Sequence, residues 1–265
     1  MLHFFRKIRH DLIANSKSYK YFKYAIGEIA LVVIGILIAL QINNWNEEGA
    51  RKQELKIYMD NLVHDLNNDI TTLGIYRNIN FYRYNSMQHL LVLSGQKPMS
   101  TGYTLNMPKV DTYFSPWEKP FPENYDHEFV KKVFVWTSIA GEMAVNSSTM
   151  VELRNNGLYS YIADVDLKNA IDGYYHEYER RLGRYENGNS RKFQDDWRDS
   201  LSEVGFNNED ILDSRAALDW LMNNPKATAR LKTIILNAKW RFESSDYLKT
   251  SAQDLIDLIN SKSSN

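Results

Sequence analysis

The chain has 265 residues, with 32 lysines and arginines against 33 aspartates and glutamates, and no cysteine. A formal net charge of −1 supplies no global basic field for nucleic acid. The absence of thiols excludes disulfides, cysteine nucleophiles and cysteine-based metal sites.

The chain opens on a basic segment, residues 1–24. Phe5, Ile8 and Leu12 share one helical face, and Arg6, Lys7, Arg9 and His10 cover much of the rest. That pattern suits a short interfacial helix on an anionic leaflet, and equally a basic tail that only sets topology. Residues 25–45 then read as a transmembrane helix, because residues 29–40 are unbroken apolar apart from Gly35. A span needs about 20 mostly apolar residues, and in lipid even β-branched chain must be helical to satisfy its own backbone. Tyr19, Tyr21, Phe22 and Tyr24 sit before it and Trp45 after it, where interfacial aromatics belong. Arg6, Lys7, Arg9, Lys17, Lys20 and Lys23 precede the span, opposed by Asp11 alone. Beyond it, Arg51, Lys52 and Lys56 mix with Glu47, Glu48 and Glu54. The positive-inside bias predicts a cytoplasmic N-terminus and a periplasmic C-terminal domain on the inner membrane. No small-x-small site follows the run, so an uncleaved signal anchor is expected. Glu28 is the one ionisable residue inside the span, within reach of Lys20, Lys23 or headgroup water. Gly35 and Ala39 form a small-xxx-small face that suggests a weak homodimer contact.

The segment GEIALVVIGILIALQINNWNE, residues 27–47, and the run Phe4-Phe5-Arg6-Lys7 resemble the opening of an uncharacterised family of single-span membrane proteins common in Bacteroidota. Within residues 148–175, Glu152-Leu153, Gly157-Leu158, Leu167 and Tyr174-Tyr175 recur in an order similar to that family's. The resemblance implies a membrane protein, largely helical outside the bilayer, with no assigned activity.

Residues 46–265 read as an extracytoplasmic helical domain, making the fold class all-α with one N-terminal transmembrane helix and a helical bundle. Leu55, Met59, Leu62, Leu66, Ile70 and Leu73 form an amphipathic stripe, and Lys56, Asp60, Asp65 and Asp69 fit its solvent face. Nothing before Gly74 obliges a break, and the pattern resumes at Ile79, Met87, Leu90, Leu91 and Leu93 before Ser94-Gly95. Either a kink near Gly74 or packing by later helices is expected. Residues 95–126 hold Pro98, Pro108, Pro116, Pro120 and Pro122, interleaved with Tyr103, Tyr113, Phe114, Trp117, Phe121 and Tyr125. Proline at this density excludes helix interiors, leaving a binding lip or a cover for neighbouring apolar faces. Helix is predicted again over 126–145, with Phe129, Val133, Trp136 and Ala140 on one stripe. Thr149 to Glu152 fits a capping box, Asn155-Asn156-Gly157 a left-handed stop, and Asp164 a cap for the helix carrying Leu167, Ile171, Tyr174, Tyr178 and Leu182. Gly183, Gly188 and Asn189 mark its end. Helices over 193–204, 216–222 and 226–261 follow, the last two parted at Asn224-Pro225.

No catalytic, cofactor-binding or metal-binding residue is assigned. The six histidines form no paired metal motif, and serines lack a nucleophile-elbow context. His176-Glu177, Asp195-Asp196 and Glu209-Asp210 read as solvated helix faces and ends. The expected partners are the lipid bilayer and a membrane or envelope protein, without nucleic acid. Two functional classes remain: an interaction or sensory module of the cell envelope, and an envelope enzyme or small-ligand binder with its site under the Pro-rich loop. An apolar pocket near Trp117 and Phe121 with convergent Glu, His or Arg would mark the second.

Overall fold

The computed structural model describes residues 18–100, 102–105, 117–138, 145–183, 189–207 and 213–263. The interfacial helix expected over 4–13 lies outside these residues, as do Pro108, Tyr113, Phe114, Pro116, Ala140, Gly188, Glu209 and Asp210. Every extended element among them is helical, as expected: α1 Ser18–Leu93, α2 His127–Thr137, α3 Ser148–Asn155, α4 Val165–Tyr178, α5 Asn189–Ser202, α6 Ser214–Asn223 and α7 Pro225–Ser263. The chain divides into two compact units, Met1–Ile57 and Tyr58–Asn265. The helix assignment of α1 continues unbroken through Gly74.

Within the first unit lies the one described stretch long and apolar enough to cross a membrane, and none of its apolar window is buried within the chain. Ile29, Leu31, Val32, Leu37 and Leu40 are all exposed. Lys23 sits over the Tyr19 ring, 5.3 Å from its centroid.

In the second unit, α1 presents a seam of alternating three- and four-residue steps: Met59, Leu62, Leu66, Asp69, Leu73, Tyr76, Asn80, Arg83, Met87 and Leu90, all buried. This is heptad spacing, and it passes through Asp69 rather than the half-buried Ile70. Asp65 and Asp69 therefore do not lie on a solvent face as the hydropathy pattern suggested; they are 6% and 2% exposed. From 82 to 91 every residue is buried, because α2, α6, α7 and the segment after Ser94 surround the helix end.

Local chemistry sets the other elements. Asp126 accepts a hydrogen bond from the Phe129 N–H at 2.9 Å and caps α2, whose Phe129, Val133, Phe134 and Trp136 are buried. α2 ends at Thr137, short of the predicted 145. α3 begins at Ser148 with Ser147 as its cap residue, not with a box at Thr149. The Ser147 side chain makes no capping bond; instead Asn146 Oδ1 accepts from the Ser148 N–H and hydroxyl. Gly157 takes φ +74°, the left-handed stop expected there. Asp164 caps α4 by accepting from the Leu167 N–H at 2.9 Å. α4 continues into a wide helical turn, Glu179–Gly183. Pro225 opens α7 where a missing N–H is harmless, and Asn224 Oδ1 accepts from the Ala227 N–H at 3.0 Å. α7 is the spine of this unit, packing against α4, α5 and α6.

Candidate functional site

Three polar constellations occupy the interior of the second unit. The first surrounds Arg83, which is fully buried. Its Nε donates to the Trp136 carbonyl at 2.9 Å and its Nη1 to Asn80 Oδ1 at 3.1 Å, while Nη2 has no hydrogen-bond partner among the described residues. Arg198 Nη2 donates to the Ser138 carbonyl at 3.0 Å. Two guanidinium groups thus serve the carbonyl end of α2, where orphan acceptors and the helix dipole favour cations. Thr137 receives the Trp197 indole N–H at 2.6 Å and donates to the Phe134 carbonyl at 2.5 Å. Burial, reinforced by the neighbouring Arg241 charge, lowers Arg83 to about 9, with Tyr76 opposing. It remains a cation at neutral pH. Arg241, also buried, donates through Nη1 to the Tyr76 hydroxyl.

The second constellation is acidic. Asp65 and Asp69 lie four residues apart on one face of α1. Asn146, in the segment entering α3, donates its side-chain amide to Asp65 Oδ1 and its backbone N–H to Asp69 Oδ1, each at 2.8 Å. From α4, the Tyr174 hydroxyl donates to Asp69 Oδ2 at 2.9 Å and the Tyr175 hydroxyl to the Asn146 carbonyl at 3.3 Å. Asp65 Oδ2 is buried without a hydrogen-bond partner among the described residues. Burial raises Asp69 to about 6, helped slightly by the Asp65 charge and opposed by the Asn146 and Tyr174 hydrogen bonds. Tyr174 and Tyr175 are pushed up, first by burial and then by the Asp69 charge.

The third is the described part of the Pro-rich stretch. His89 Nε2 donates to the Pro122 carbonyl at 2.7 Å, which leaves Nδ1 to accept from the Tyr103 hydroxyl at 3.4 Å. Phe121 stacks on His89, and Trp117 meets Phe129 edge to face. The Tyr82 hydroxyl accepts from the Trp117 N–H at 3.0 Å. Phe121 is core, and Tyr103, Trp117 and Tyr125 pack against the same cluster. Of the two readings of this stretch, these residues show the cover. Burial lowers His89 against the pull of the Pro122 hydrogen bond.

A groove of about 300 Å³ between α4 and α7 is lined by Ala170, Gly173 and Tyr174 on one side and Tyr247, Ser251 and Leu255 on the other, with Glu177 and Asp254 contributing carboxylates. Glu177 is held by Arg180 at 2.6 Å and Arg181 at 2.8 Å, which press it down to about 2. Arg181 also stacks on Tyr247, 3.7 Å from the ring centroid. Asp195 pairs with Arg198 at 3.4 Å. The seam residues Asp69 and Arg83 were not read as buried from the sequence; their heptad register with Leu62, Leu66, Met87 and Leu90 was the signal that could have found them.

A long exposed apolar stretch continuous in sequence with a helical domain describes a protein with one candidate membrane span. Residues 28–90 match the family of unknown function DUF6090, a stretch that begins in the apolar segment and ends on the buried seam. No curated protein and no solved structure matches the chain.

Proposed function

We propose that this is a single-pass inner-membrane protein, N-terminus cytoplasmic, whose periplasmic helical domain is an interaction or sensory module. The observation that carries the reading is the apolar stretch of α1: none of its window is covered by the chain itself, so lipid is the medium that covers it. The polar groups inside the domain support a binding module over an enzyme. Arg83 and Arg198 serve α2 carbonyls, His89 a loop carbonyl, and the two aspartates a segment entering α3. Each is engaged in holding elements together.

The chain's lack of cysteine makes topology directly testable. Single Ser16→Cys and Ser202→Cys variants are labelled in permeabilised-outer-membrane cells with a membrane-impermeant maleimide. Labelling at 202 and protection at 16 supports the proposed orientation; the reverse pattern overturns it. Crosslinking in the native membrane followed by pull-down then identifies the partner. Finding only lipid and no protein crosslink at exposed positions such as Val151, Val165 and Met222 would remove the interaction reading.

A further inference from the structure

The acidic constellation does something a static brace does not require. Two carboxylates are buried side by side on one helix and both accept from one residue, Asn146, while Tyr174 donates to Asp69 and Tyr175 to the Asn146 carbonyl. Asn146 in turn organises the first turn of α3 through Ser148. Asp69 is therefore the point where α1, the entry to α3 and α4 meet. We propose that Asp65 and Asp69 form a proton-operated clasp: with Asp69 neutral, residues 145–147 and the start of α3 are held against α1 and α4, and loss of that proton releases them.

The hydrogen bonds allow both protonation states. A neutral Asp69 keeps Oδ1 as acceptor for the Asn146 N–H, while an Oδ2–H donates to the Tyr174 oxygen in place of the bond it now accepts. An ionised Asp69 keeps both bonds as acceptor but is a buried anion beside a second carboxylate whose Oδ2 has no partner among the described residues. Opening the clasp returns it to water. The sign follows from linkage. The closed form holds its proton up to about pH 6, whereas a solvated aspartate releases it near 3.8. Closure is thus favoured by acid and weakened as pH rises through that window. Between pH 5 and 7.5 the opening equilibrium is expected to grow about tenfold.

Among the described residues, the titratable groups that act on Asp69 or on the tyrosines around it are Asp65 on α1, Tyr174, Tyr175 and Tyr178 on α4, and Arg154 on α3. Tyr174 and Tyr175 are raised further from the window, so they stay protonated throughout it. His89, lowered by burial, bonds Pro122 and Tyr103 instead of the clasp.

The test is amide hydrogen exchange of the full chain in nanodiscs at pH 5 and 7.5. Rates are corrected for intrinsic exchange, with amides of α7 as the internal reference. Asn146 and the amides of α3 are expected to open about tenfold more at pH 7.5. Asp69→Asn mimics the neutral acid and is expected to hold the acid-form protection at both pH values. Asp65→Asn removes the like charge and shifts the midpoint down, and Tyr174→Phe removes a stabilising donor and shifts it up. Equal opening at both pH values in the unsubstituted chain overturns the proposal, as does a pH dependence that survives Asp69→Asn. Should Asp69→Asn fail to fold, opposite shifts in the other two variants support the clasp and unmoved midpoints overturn it. The result is independent of topology and partner.

Discussion

α1 contains two stretches that invert the usual relation between hydropathy and burial. Between 29 and 40 every residue except Gly35 is apolar, yet Leu31 is 66% exposed and Ile36 55%. Between 82 and 91 lie Arg83, Asn85, Ser86, Gln88 and His89, and every residue is buried. An apolar surface of that extent left bare by its own chain is stable only in a medium as apolar as itself. A polar run enclosed by protein is stable only where neighbouring groups replace water. The first stretch is left bare by its own chain, and the second is explained by what it holds inside.

The sharpest way to break this contrast is Arg83→Ala. If the enclosed arginine is structural, its loss removes the hydrogen bonds to the Trp136 carbonyl and Asn80 Oδ1 and leaves a cavity. A destabilisation of about 4 kcal/mol is expected, read as the urea midpoint of the detergent-solubilised chain. A change of under about 1 kcal/mol would mean that the α2 carbonyl end does not depend on it. The complementary change is Ile34→Arg in the exposed stretch. A charge at the centre of a span costs about 3 kcal/mol of insertion, so the fraction resisting alkaline carbonate extraction should fall sharply. Unaltered extraction would show that protein, not lipid, covers that surface.

How much of this was legible depended on range. The stop at Gly157, the cap at Asp164 and the break at Asn224-Pro225 are written in a few adjacent residues, and the structure has them where the sequence placed them. The start of α3 is equally local, but Asn146 takes over the capping from outside the helix, which a serine/threonine-to-glutamate template does not anticipate. The seam failed for a different reason. Its spacing was visible, but Asp69, Asn80 and Arg83 stand on it, and a hydropathy reading moves such residues to the solvent side. The partners of Asp69 and Arg83 include Asn146, Trp136 and Tyr174, brought in from 53 to 105 residues away, and local pattern carries nothing of that. In the described parts of this stretch, 95–100, 102–105 and 117–126, proline and aromatic density ruled out helix correctly, whereas the choice between lip and cover rested there on contacts with Tyr82, His89 and Phe129.

His89 tests the enclosed stretch through protonation instead of deletion. Burial lowers its pKa, so the folded state disfavours the imidazolium that the unfolded chain accepts near its usual 6.5. Its contribution is present above that value and is lost as pH falls below it, the opposite sign to Asp69. His89→Gln keeps a donor for the Pro122 carbonyl without the titration. The prediction is a smaller loss of urea midpoint between pH 7 and pH 5 than in the unsubstituted chain. An identical loss in both would place the acid sensitivity elsewhere.

The smallest effect is expected where charge is neither enclosed nor alone. Arg180 pairs with Glu177 at 2.6 Å, a shorter contact than any Arg83 makes, yet Arg180 is 45% exposed, the carboxylate is open to the groove, and Arg181 reaches it at 2.8 Å. Exposed pairs of this kind contribute little, because solvent screens them and their long side chains must be ordered. Arg180→Ala should therefore leave the melting temperature unchanged within error, while Arg181→Ala, which also removes the cation from the Tyr247 face, should lower it measurably. Equal effects from both would mean that the groove between α4 and α7 depends on the ion pair itself. A difference between them would locate the stabilisation in the stacked guanidinium, where partial enclosure makes the same charge count.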